Sequence, residues 1–191
     1  MTKARTMLLL AGAAAAMAAA PVDPDWPCVQ RLVPSLTAAT LWPGQAPTGD
    51  WRADPRIAAL VRDAADRRRP VDEAARRLED FVATKPGAEA VSEVFAGLVD
   101  QTNVERGQAI ERLRSIARRE RALASATDRV TTELEALPAT APERDDLTAR
   151  RTLMIREYEE IGRTIRYSCE IPVDFEARLG RFAQVLQRGL E

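Results

Sequence analysis

The sequence predicts an all-α protein: a long antiparallel helical hairpin, a coiled-coil arm, on a small helical base. Three observations predict it. Apolar residues recur at helical spacing from residue 54 onward, no proline interrupts residues 88–137, and no stretch alternates as a strand would. The 191 residues, 46% of them hydrophobic and 30% charged, suffice for one domain with its own core. The chain has no histidine and two cysteines. That excludes a Ser-His or Cys-His nucleophile pair, imidazole-bound zinc and histidine-ligated haem. An aromatic content of 5% leaves little for stacking on bases or sugars.

The first segment, 1–18, reads as a cleaved signal peptide. Lys3 and Arg5 form a positive region ahead of an apolar run from Met7 to Ala20, which is too short for a membrane span of about 20 residues. Cleavage after Ala18, with Ala16 three positions before the cut, suits a signal peptidase better than cleavage after Ala20, which would put Pro21 first. Trp26 and Pro27 directly precede Cys28, so no lipid-attachment motif leads into it. Removing Lys3 and Arg5 leaves 26 basic against 29 acidic residues, a net charge of −3. Heavy use of alanine and arginine suggests a GC-rich bacterial genome, and with export a periplasmic address. In that oxidising compartment Cys28 and Cys169 are expected to form one structural disulfide. A redox-active or metal-binding pair would more often show a C-x-x-C spacing.

Residues 19–53 read as an extended N-terminal strap pinned through Cys28, with one short helix that Ser35 caps and Pro43-Gly44 stops. Residues 43–53 carry turn formers without periodicity and read as a surface loop. The helical domain occupies 54–191. Asp54-Pro55 starts its first helix, over 54–69, with Ile57, Leu60, Val61 and Ala64 on one face. Pro70 separates it from a second, over 72–84, with Ala74, Ala75, Leu78, Phe81 and Val82.

A third helix follows from residue 88. Val91, Phe95, Leu98 and Thr102 step 4-3-4, and a second track from Ala109 through Leu113, Ile116, Glu120, Leu123, Thr127, Val130, Leu134 and Leu137 steps 4-3. The tracks are offset by a stutter before Gly107, where a local straightening or bend is expected. Pro138 to Pro142 breaks the pattern. Leu147, Arg151, Met154, Tyr158, Ile161, Ile165 and Ser168 then form a second heptad seam. Pro172 restarts the chain, and Phe175, Leu179, Phe182, Val185 and Leu186 return to the base. The arm is expected over about 109–170.

Motifs for chemistry are absent. In the cluster Glu157, Glu159 and Glu160, neighbours one or two apart point to different sides of a helix, so it forms no obvious dyad and reads as a solvated surface. Residues 100–108 (DQTNVERGQ) lack ligands at the third and fifth positions of a calcium loop. No phosphate-binding glycine loop or nucleophile elbow occurs. The arginines at 67–69 and at 112, 114, 118, 119 and 121 invite a nucleic-acid reading, which the acidic mature balance opposes. Arg112, Arg119 and Arg121 are expected to flank the seam and pair with Glu157 or Glu160 across it.

The pieces D-W-P-C-V-Q-R-L-V-P (Asp25 to Pro34) and R-Y-S-C-E-I-P (Arg166 to Pro172), with W-R-A-D-P (Trp51 to Pro55), resemble signatures of a family of uncharacterised exported proteobacterial helical proteins. The resemblance spans most of the mature chain and implies no activity. It places each cysteine in a distinctive local motif, consistent with their pairing. L-T-A-A-T (Leu36 to Thr40) matches only half of the L-T-x-x-Q pattern of periplasmic helical-hairpin stress chaperones, so that family is not adopted.

The sequence thus points to a non-catalytic periplasmic scaffold or interaction protein that binds a protein partner through its hairpin. Arg112, Arg119, Arg121, Thr127, Leu134 and Leu147 are the candidate partner surface. No catalytic residue, cofactor, metal or nucleic acid is expected, and the same seam is able to support a homodimer. A membrane-surface protein using its arginine faces is the alternative, and a carboxylate- or thiol-based enzyme the least favoured reading.

Overall fold

The computed structural model describes residues 23–42 and 49–190. The expected signal peptide and the first part of the expected 43–53 loop lie outside the described residues. The fold is all-α, with five α-helices and no strand among the described residues: α1 (Pro55–Ala65), α2 (Val71–Ala83), α3 (Ala88–Ala136), α4 (Arg144–Ser168) and α5 (Ile171–Gln187).

Asp54 caps α1 by accepting the Arg56 backbone N–H at 2.8 Å, with Pro55 pre-set for the first turn. The helix stops at Ala65, short of the expected residue 69. The reason is tertiary. The Arg178 guanidinium donates to the carbonyls of Ala64 and Asp66 at 2.9 and 3.1 Å and to that of Arg69 at 2.9 Å, taking up acceptors at the helix end. The Asp66 carboxylate also accepts the Arg68 backbone N–H at 3.0 Å, a local turn that competes with helix. Its own pKa is lowered to about 2, chiefly by the Arg68 guanidinium and then by that N–H. The short helix expected from Ser35 reduces to a single 3-10 turn, Ala38–Thr40, without a side-chain cap.

Positive φ at Lys85 and Gly87 (52° and 88°) turns the chain between α2 and α3. α3 then runs unbroken for 49 residues, through Gly107, roughly 75 Å at about 1.5 Å per residue. A turn closed by the Ala141 N–H on the Pro138 carbonyl leads into α4. α4 packs on α3, with Arg119 facing Glu157 and Glu120 beside Gly162.

One apolar core joins α1, α2, the first three turns of α3 and the second half of α5. Val61, Leu78, Val94, Phe95, Leu98 and Leu179 are completely buried in it. Two tryptophans from outside the helices complete it. Trp42 stacks on Phe95 with ring centroids 4.5 Å apart. Trp51, placed by the sequence in a surface loop, is buried against Val61 and Gly97, and its indole N–H donates to Asp100 at 3.0 Å. Burial of large aromatic area outweighs the turn-forming character of its neighbours.

Candidate interaction surface

Cys28 and Cys169 form a disulfide, with Cα atoms 5.6 Å apart across 141 positions of sequence. Gln30 reinforces the join by donating its side-chain amide to the Cys169 carbonyl. Within the strap, the Trp26 indole N–H donates to the Gln30 carbonyl at 2.7 Å.

The rest of the strap is held by α3, along one polar stripe. Asp100 takes the Trp51 indole. Asn103 both accepts the Leu36 N–H and donates to the Leu36 carbonyl, at 2.8 and 2.9 Å. Arg106, buried to 2% exposure, donates to the Val33 carbonyl and pairs with Glu176 at 2.9 Å. Farther along, Arg114 meets Asp23 at 2.6 Å, Arg118 meets Asp25 at 2.8 Å, and Arg121 also reaches Asp25. Steps of three, four and eight residues put all six on one side of the helix. Ile110 and Ala117, outside the heptad seam but on this same side, are buried as well.

The segment 100–108 is therefore helix whose polar residues dock the strap. From sequence alone, its polar residues are weighed only as calcium ligands, a pattern they miss. The spacing 100, 103, 106 was the available signal, but its partners, Leu36 and Val33, offer backbone groups that no residue pattern reveals. The strap acids respond to their new neighbours. Asp23 is held below the ordinary carboxylate range, first by the Asp25 backbone N–H and then by the Arg114 guanidinium. Asp25 is lowered chiefly by Arg118, with Arg121 adding to it.

The structure separates the candidate partner residues. Arg119 pairs with Glu157 at 2.5 Å, as expected. Arg121 does not reach α4: Asp25 of the strap is nearer and carries the matching charge. Glu160 pairs within its own helix, with Arg163. Arg112 is exposed and has no carboxylate within 4 Å among the described residues. Thr127 is half-buried, and its hydroxyl donates back to the Leu123 carbonyl at 2.9 Å. Leu134 is 4% exposed, which withdraws its side chain from a partner, and its carbonyl accepts from Arg144 at 2.7 Å. Leu147 is half-buried.

What remains open is apolar surface on α4. Of its 25 residues only Ile161 and Ile165 are buried, while Leu153, Ile155, Tyr158 and Tyr167 are 64, 42, 41 and 76% exposed. Ile155 and Tyr158 join Ala124, Thr127 and Asp128 of α3 in a shallow groove of about 240 Å³. Among the described residues, no helix is long and apolar enough to cross a membrane. Comparison with protein-family models, with curated protein sequences and with solved structures finds no match to this chain.

Proposed function

We propose that this is a non-catalytic periplasmic scaffold protein that binds a protein partner through a projecting antiparallel hairpin. In this reading the distal half of α3 and all of α4 form a coiled-coil-like arm, standing on a base built from α1, α2, the start of α3 and α5. Supporting the antiparallel arrangement, residue numbers on α4 rise as those on α3 fall: Arg144 meets Leu134, and Gly162 lies beside Glu120. Supporting the compartment is the disulfide, since such bonds persist in oxidising surroundings.

The observation that carries the partner role is the open groove between α3 and α4 at Ile155 and Tyr158. Four large apolar side chains stay exposed on a helix that buries two. Of these, Ile155 and Tyr158, three residues apart, share one face and continue onto Ala124 and Thr127 of α3, and a contiguous exposed apolar patch marks an interaction site. The membrane-surface alternative is weakened, because Arg114, Arg118, Arg119 and Arg121 are already neutralised by carboxylates.

A photo-crosslinker placed at Ile155 and, as a control, at Arg76 of α2 tests the reading in periplasmic extract. The expected result is one defined adduct from position 155, absent from position 76 and lost on Leu153→Ser/Tyr158→Ser substitution. The exposed substitutions should leave stability within about 0.5 kcal/mol. Equal adducts from both positions, or an adduct indifferent to the serine pair, would count against a partner-binding arm.

A further inference from the structure

Two arginine clusters stand out in the sequence, 67–69 and 112–121, and ion pairs absorb almost all of their charge. Arg68 is taken by Asp66, and Arg69 by Asp63 and Glu73. In the second cluster Arg114, Arg118, Arg119 and Arg121 all have carboxylate partners. One cation in each cluster has none within 4 Å among the described residues: Arg67 and Arg112. The two are far apart in sequence, yet both line a single cavity.

That cavity, of about 300 Å³, lies where the α1–α2 turn meets the middle of α3 and the α4–α5 junction. Ala109, Leu113, Ile116 and Ile171 supply its apolar wall, and Ser168 adds a hydroxyl. No acidic residue lines it. Glu105, one turn before Ala109 on α3, is outside the lining, and burial raises the pKa of that group while the Arg67 charge lowers it. The Arg67 guanidinium also lies over the Phe175 ring at 4.5 Å, which fixes it in place without neutralising it.

We propose that this cavity binds a small amphipathic anion, a carboxylate on a short aliphatic chain. The chain occupies the wall of Ala109, Leu113, Ile116 and Ile171, and the carboxylate is held by Arg67 and Arg112, with Ser168 as an additional donor. The assignment rests on charge and shape together. Guanidinium forks match a carboxylate, an apolar wall rewards the removal of an alkyl chain from water, and the volume is at the small end of ligand pockets, about 300–1,000 Å³. The site is distinct from the apolar surface of α4 proposed for a partner, and neither proposal depends on the other.

Calorimetric titration of the oxidised chain with octanoate tests it, beside acetate (charge without chain), 1-octanol (chain without charge) and phosphatidylglycerol vesicles (anionic headgroups on a surface). Saturable binding of octanoate at one site per chain is expected, with acetate and octanol at least tenfold weaker. Arg67→Gln and Arg112→Gln should each weaken octanoate about tenfold, the scale of one lost charge-assisted hydrogen bond. Both side chains are exposed, so the variants should keep the helical circular dichroism and melting behaviour of the parent. Arg62→Gln, on an exposed face of α1, should change nothing. Absence of octanoate binding, octanol binding as tight as octanoate, or unchanged affinity in both variants would each overturn the proposal. Binding to vesicles without binding to octanoate would overturn it too, and would assign the two arginines to a lipid surface.

Discussion

Asp23 and Asp25 show how single side chains decide where a segment without regular structure settles. Three arginines that the helical pattern offers to the opposite arm, or leaves to solvent, instead receive strap carboxylates. The sequence showed the cations and the acids but not their pairing, because residues 91 or more positions apart meet only through the tertiary fold. Both acids have their pKa lowered in the folded chain. Their hold on the strap is therefore full above the ordinary carboxylate pKa near 3.8 and disappears as the pH falls through the lowered values. The Trp26 indole N–H resonance, reporting its bond to the Gln30 carbonyl, should hold its position from pH 7 to pH 5 and shift on further acidification. In Asp23→Asn/Asp25→Asn that acid shift should vanish. An unchanged shift in the double variant would show that these acids do not govern the strap. Arg106 acts differently: its side chain is 3% exposed, against 50% for Arg118, so its bond to the Val33 carbonyl is less open to screening.

Among the elements, α3 carries two glycines with opposite meanings. At Gly97 an added Cβ would lie 2.7 Å from a Val61 methyl and 2.9 Å from the Trp51 ring, both in the core. At Gly107 it would meet no heavy atom within 4 Å. Gly97→Ala should destabilise by about 1–3 kcal/mol through overpacking. Gly107→Ala should stabilise by about 0.5–1 kcal/mol, because alanine loses less backbone freedom in a helix interior. Urea denaturation of the two variants reads both signs, and a loss at Gly107→Ala would show that the stutter needs its glycine. Helix content was legible because periodicity and prolines are local: α2, α3 and α5 begin and end close to where their breakers stand. The end of α1 was not, since Arg178, more than 100 positions later, supplies its terminal donors. The stripe on α3 was hidden for a related reason. Its polar residues have helical spacing, but the backbone groups they serve belong to a segment with no pattern of its own.

For the molecule as a whole, the disulfide is the longest-range constraint. It closes a loop across 141 sequence positions. The chain-entropy relation gives it about 5 kcal/mol for a loop of that size. Cys28→Ser/Cys169→Ser should therefore unfold at a clearly lower denaturant midpoint, with the helical circular dichroism at zero denaturant largely kept, since the core of α1, α2, α3 and α5 contains neither cysteine. A midpoint equal to that of the parent would show that the strap's polar bonds hold it without the bridge. The pairing itself was legible from two cysteines and an expected export signal. The route of the strap between its ends was not, because it depends on Asn103 and Arg106 reaching main-chain atoms.

The distance between the two cysteines also orders events in time. Translation delivers Cys28 to the growing chain 141 residues before Cys169, so its thiol lacks that partner until α4 has been made. With only these two cysteines, no scrambled isomer exists to be repaired, and an oxidant alone suffices without an isomerase. Any product that stops before residue 169 keeps a lone thiol, open to mixed disulfides with other molecules. Closure of the bond is thus a molecular receipt that synthesis reached the end of α4.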